Sequence, residues 1–84
     1  MKLTDLENGD KVSITKLSAN GKKRRRLLDL GLIPGTKIKA IRKSPSGDPT
    51  AYLIRGSILA LRKEETDLVL VKKIKNNNNK EGIL

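Results

Sequence analysis

Turn-forming residues cut this chain into pieces too short for anything but small strands and one short helix. Residues 7–10 (ENGD), 18–21 (SANG), 31–35 (GLIPG), 45–49 (PSGDP) and 56–57 (GS) each gather the Gly, Pro, Asn, Asp and Ser that turns and loops require. Between them, apolar and polar residues alternate, with Val12 and Ile14 on one side of the first piece and Ile38 and Ala40 on one side of another. The pattern predicts strands over residues 11–17, 36–44, 50–55, 57–62 and 68–74, the last rich in β-branched Val69, Val71 and Ile74. At Ile41 the buried face can switch, which marks a bulge or bend. Gly56-Ser57 reads as a two-residue hairpin of the type that begins with Gly.

Residues 22–30 follow a different period. Projected at about 100° per residue, Leu27, Leu28, Leu30 and Gly31 fall on one arc, with Lys23 and Arg24 one turn earlier on the same side. Lys22, Arg25, Arg26 and Asp29 occupy the opposite arc, where Arg25 and Asp29 are spaced to pair. Ser18 or Asn20 can cap the start of this helix. Gly31 supplies the left-handed residue that ends it, Leu32 folds back onto the last turn as in a Schellman ending, and Pro34-Gly35 form a type II turn. Residues 64–67 have room for a single helical turn.

Five short strands with one helix inserted after the first make a mainly β protein, and in so few residues a small SH3-like barrel of two orthogonal sheets hides strand edges best. One domain over residues 1–75 uses nearly all of the 84 residues. Residues 76–84 begin with four asparagines and are expected to be a disordered tail.

Composition narrows the chemistry. The chain has neither Cys nor His, which removes disulfides, thiol redox chemistry, sulfur or imidazole metal ligands and His-based acid–base catalysis. No enzyme activity, metal site or cofactor is expected. No signal-peptide pattern and no apolar run of about 18 residues occurs, so the expectation is a cytoplasmic, non-spanning protein. A formal net charge of +10 favours acidic partners.

The run GKKRRR at residues 21–26 is the densest positive segment. A solvated helix face accounts for it in the simplest way. The sharper reading is a docking patch of Lys22, Arg25 and Arg26 that meets acidic groups on a protein partner, because basic side chains beside a positive helix N-terminus do not serve the helix itself. A basic nucleic-acid-binding barrel is the alternative. Tyr52, the only aromatic residue, is read as a strand residue at the barrel surface and gives no stacking platform, so nucleic acid is not the expected partner. Gly21-Lys22 lacks the earlier Gly and the following Ser or Thr of a phosphate-binding loop. Residues 47–49 offer one carboxylate, too few for a hard cation, and Glu64, Glu65 and Asp67 read as a solvated turn.

RRRLLDLGLIPGTKIKAIRKSPSGDP followed by IRGSILALRKEETDLVLV resembles the ferrous iron transport protein A family, FeoA, over residues 1–74. The residues that carry the resemblance are Arg24, Leu27, Leu30, Gly31, Leu32, Pro34 and Gly35, then Gly47, Asp48 and Pro49, then Arg55, Gly56, Leu61 and Arg62, with Lys23 a departure where relatives often have an apolar residue. The resemblance implies an SH3-like barrel, structural roles for most of these positions, and a small cytoplasmic accessory protein of bacterial ferrous iron uptake. Its implied partner is the cytoplasmic side of the FeoB membrane transporter, with membrane contact only through the transporter and weak self-association through exposed strand edges. The family is described as transition-metal binding by association; without Cys or His, this chain reads as an adapter that does not hold the iron.

Overall fold

The computed structural model describes residues 1–74; the expected tail at residues 76–84 lies outside them. A short 3-10 turn, Leu3–Asp5, precedes β1 (Lys11–Leu17), α1 (Gly21–Asp29), β2 (Lys37–Lys43), β3 (Thr50–Ile54), β4 (Ser57–Leu61), α2 (Lys63–Thr66) and β5 (Val69–Lys73). All pairings are antiparallel in the order β4-β3-β2-β1-β5. This is the expected set of five strands with one helix after the first. Four of the strands run as a meander, and β5 returns to the open side of β1.

Alternation builds the core. Val12 and Ile14 of β1, Ile38 and Ala40 of β2, Tyr52 and Ile54 of β3 and Val69 and Val71 of β5 point inward and are buried, joined by Leu3, Leu6, Leu17, Leu27, Leu32 and Leu61. Two strands break step. β2 slips against β3 between Ala40 and Arg42, the bulge foreseen at Ile41, and β1 slips against β5 between Ile14 and Lys16. A bulge bends its strand and raises the local twist, which lets one small sheet curl around a single core.

Hydrogen bonding does not close the barrel. β4 and β5 terminate the sheet without pairing with each other. The N-terminal lead covers part of the β5 edge: Lys2 bridges Leu70, and the Val71 N–H donates to the Met1 carbonyl at 2.8 Å. The outer edge of β4 carries no partner strand among the described residues.

Two sequence expectations need correction. Tyr52 is not at the surface: it is 2 % exposed, with its hydroxyl directed at the Leu3 carbonyl, 3.5 Å away. Its place in β3 is in phase with Thr50 and Ile54, both buried, and the N-terminal lead covers it. The β3–β4 hairpin also turns one residue earlier than expected. Ile54 pairs with Ser57, so the central residues are Arg55 and Gly56, both at positive φ (51° and 84°). Two positive-φ residues define a type I′ turn, whose twist matches the flanking strands, and Arg at the first of them hides the signal that Asn or Asp would give.

The two positive-φ positions flanking this region are expected to respond with opposite signs. Gly31 (φ +94°) has room for a Cβ, with Arg55 Cδ at 3.7 Å and Ile54 Cγ2 at 3.9 Å, so Gly31→Ala suffers backbone strain alone and loses about 1–2 kcal/mol. Arg55→Asn places a better left-handed residue in the I′ turn and gains about 0.5–1 kcal/mol. Urea midpoints of both variants check the pair.

Candidate functional site

α1 stands on the core by its last turn. Leu27 is buried, Leu28 and Leu30 are half-buried, and every residue from Gly21 to Arg26 is exposed. Asn20 holds the N-cap position without a side-chain bond, and the first turn has no acidic residue. Lys22, Lys23 and Arg24 therefore sit against the positive end of the helix dipole, an arrangement that weakens the helix by tenths of a kcal/mol per charge.

The far end is well secured. The Gly31 N–H donates to the Leu28 carbonyl at 2.9 Å and the Leu32 N–H to the Leu27 carbonyl at 3.0 Å, the two bonds of the Schellman ending, with Leu27 and Leu32 buried together. The Thr36 N–H closes on the Ile33 carbonyl at 2.9 Å around Pro34 and Gly35, and Gly35 is at φ +93°, as a type II turn requires. Gly35 then donates to the Ile14 carbonyl at 2.7 Å, tying the turn to β1.

Of the three patch residues, Lys22 and Arg25 project freely into solvent, Arg25 facing Asp29 at 3.3 Å in an exposed pair. Arg26 is differently placed. Its Nε donates to Glu65 Oε2 at 2.7 Å, so α1 is tied to α2 across 39 positions of sequence. The projection that set Arg26 opposite Leu27 missed that α2 rises against the other flank of the helix. There Lys23, Arg26, Leu27 and Leu30 form an i, i+3, i+4, i+7 stripe. Lys23, Arg26 and Leu27 line a groove with Glu64, Glu65 and Leu68. At about 170 Å³ the groove is smaller than an ordinary small-molecule pocket. Arg24, expected along the buried side, is exposed because the core reaches only the C-terminal turn.

α2 is a hub for polar side chains. The Glu65 carboxylate accepts from the Arg62 N–H at 3.2 Å, Asp48 Oδ1 accepts from the Lys63 N–H at 2.9 Å, and Thr4 donates to Asp67 at 2.6 Å. Asp48 thus reaches the start of α2 from the β2–β3 loop, while the Arg55 side chain lies beside Gly31 at the end of α1. Burial alone would raise the Glu65 pKa, but the Arg26 side chain, the Arg62 N–H and both guanidinium charges outweigh it and hold the carboxyl below its usual range. Asp67 is likewise lowered, by hydrogen bonds from Thr4 and Lys63.

Among the described residues no group of three or more His, Cys, Asp or Glu can hold a metal ion, and the chain has no His or Cys at all. The described residues do not fit a resident transition metal. Sequence reading singled out the helix and overlooked the outer sheet face, where Lys11, Lys37 and Lys39 gather with Arg55; the alternating lysines of KIK at residues 37–39 were its signal.

A lowered carboxylate adds stability above its unfolded pKa and loses it as the pH falls through the folded value. Glu65→Gln is therefore expected to cost about 0.5–1 kcal/mol at neutral pH, with the difference from the parent shrinking as the pH drops below the carboxylate range. Denaturant midpoints at neutral and acid pH check both the loss and its disappearance.

The chain matches the sequence profile of the FeoA domain over residues 1–73. It is 31% identical over 77 residues to the Fe(2+) transport protein A/Fe(2+) transporter FeoB fusion protein of Porphyromonas gingivalis, a match that spans 92% of this chain and 9% of that much longer protein. Its structure is similar to that of iron(II) transport protein A from Clostridium thermocellum, with a TM-score of 0.85 and 34% identity over 88% of this chain and 46% of that one. It is similar also to Stenotrophomonas maltophilia FeoA complexed with zinc, described as a procaryotic SH3 domain protein, with a TM-score of 0.76 and 28% identity over 86% of this chain and 89% of that one. No helix among the described residues is long and apolar enough to cross a membrane. The chain belongs to the FeoA family.

Proposed function

We propose that this chain is a non-catalytic accessory protein of bacterial ferrous iron uptake that docks on the cytoplasmic side of an FeoB-type transporter. The observation that carries this reading is the fusion relative, in which a segment similar to nearly the whole of this chain is continuous with the transporter. Covalent linkage keeps two modules at high effective concentration, so separate chains doing the same work need a docking face instead.

The exposed side of α1 is that face. Lys22 and Arg25 supply long-range attraction to acidic groups and set orientation, while Arg26 holds α1 against α2 and leaves its partly exposed guanidinium at the rim. The helix bears unfavourable charge at its N-terminus, a cost that a partner's acidic groups would offset. Iron is the transporter's cargo in this reading and does not bind the adapter. Weak self-association would use the bare edge of β4.

Lys22→Glu separates stability from docking. The carboxylate complements the helix dipole and is expected to raise stability by about 0.3–1 kcal/mol. The same change, combined with Arg25→Glu, is expected to weaken co-purification with the transporter in a salt-dependent manner. A double variant that folds well and still co-purifies unchanged at low and high salt removes α1 from the docking role. Sedimentation at several concentrations checks self-association.

A further inference from the structure

The outer face of the sheet bears charge that nothing in the fold uses. Lys11 faces Lys39 directly across β1 and β2, and Ser13 faces Lys37 one step away. Like charges directly opposite each other destabilise a sheet. Lys72 lies opposite Ser13 on the other side, and Arg55 of the hairpin lines the same depression as Lys11, Lys37 and Lys39. Every ion pair among the described residues lies on α1 or α2, and none involves this face. Its basic side chains surround a shallow depression of about 340 Å³ lined by Lys11, Lys37, Lys39, Arg55, Leu53 and Ile74, with no acidic residue.

Two apolar side chains stand beside these charges. Leu53 pairs with Lys39 on one side and with Ile58 on the other, and they are 36% and 66% exposed, among the most exposed large hydrophobics of the chain. Ile58 lies on the edge strand β4, and Leu53 beside it on β3.

We infer that this face rests on an anionic lipid surface, with the lysines among the headgroups and Ile58 and Leu53 entering the boundary with the acyl chains. The chemistry distinguishes lipid from nucleic acid. Phosphate neutralisation would serve either, but an aliphatic edge gains nothing against a sugar-phosphate backbone, and the only aromatic residue, Tyr52, is buried and cannot stack on a base. Basic residues flanking exposed aliphatics are what an interfacial surface takes up, through apolar burial added to attraction by anionic lipid. The inference rests on the proposed function only in placing the chain beside a membrane. The exposed first turn of α1 would then remain available to the transporter, since only the last turn of the helix packs on the core.

Co-sedimentation of the full chain with vesicles tests this without any transporter, so its outcome is independent of the docking experiment. Binding is expected to vesicles of phosphatidylcholine containing phosphatidylglycerol and not to phosphatidylcholine alone, and to fall with salt. The double variant Lys37→Glu/Lys39→Glu is expected to lose at least about tenfold in binding. Lys22→Glu/Arg25→Glu removes the same net charge from α1 and is expected to retain most of it. The chain contains no Trp, so Ile58→Trp adds a unique fluorophore, expected to shift to the blue on anionic vesicles. Equal losses in the two charge-matched variants would reduce the effect to net charge and overturn the assignment. So would absent binding at low salt, an unshifted Trp, or tighter binding to generic RNA through the same lysines.

Discussion

The end of α1 is the constraint on which the rest of the molecule depends. The chain leaves the sheet after β1, forms a helix and must return beside the strand it left, in register. It does so through Gly31, whose left-handed conformation lets the Leu32 N–H reach back to the Leu27 carbonyl while the Leu32 side chain enters the core. Pro34 and Gly35 then reverse the chain, and Gly35 and Ile14 are joined by a backbone hydrogen bond. Leu32 burial and the Gly35–Ile14 and Ile14–Thr36 backbone bonds together fix where β2 begins, and each later strand is paired on the one before it as far as β4.

A second level of order is polar and gathers at α2. One helical turn between β4 and β5 has too few intrahelical bonds to persist alone. Here it is held by groups remote in sequence: Asp48 from the β2–β3 loop, Arg26 from α1 and Thr4 from the N-terminal lead. These contacts are largely solvent-facing and individually weak, but they converge on four residues and bring three separate connections to one end of the sheet. The lowered carboxyls of Glu65 and Asp67 are the electrostatic sign of that convergence.

The fold also separates charge. Acidic side chains are occupied around α2, at the end of α1 and in the N-terminal lead, where Asp5 and Asp10 bond backbone N–H groups. Among the described residues, the basic side chains that join no ion pair include those of the first turn of α1 and those of the outer face of the sheet. One is helical and wholly polar; the other includes the exposed aliphatics Leu53 and Ile58, on β3 and the edge strand β4. If both proposals hold, the two surroundings would serve two surfaces, a protein and a membrane.

Much of this was legible in the amino-acid sequence because it rests on local rules. Strand alternation, the Gly31 ending, the Pro34-Gly35 turn and the bulge at Ile41 follow from backbone sterics and period-two burial, which act over a few residues. The residues shared with FeoA carried the family, since their order is itself a local record. Tertiary structure alone decided the rest. That Tyr52 is buried depends on the N-terminal lead packing over β3, and that Arg26 belongs to α2 depends on a residue 39 positions away. The helical projection could place Arg26 on an arc but not say what stands beside that arc. The basic sheet face emerged in the same way: Lys11, Lys37 and Lys39 are ordinary outward strand residues until antiparallel pairing sets them side by side, because strand register is a property of the assembled sheet.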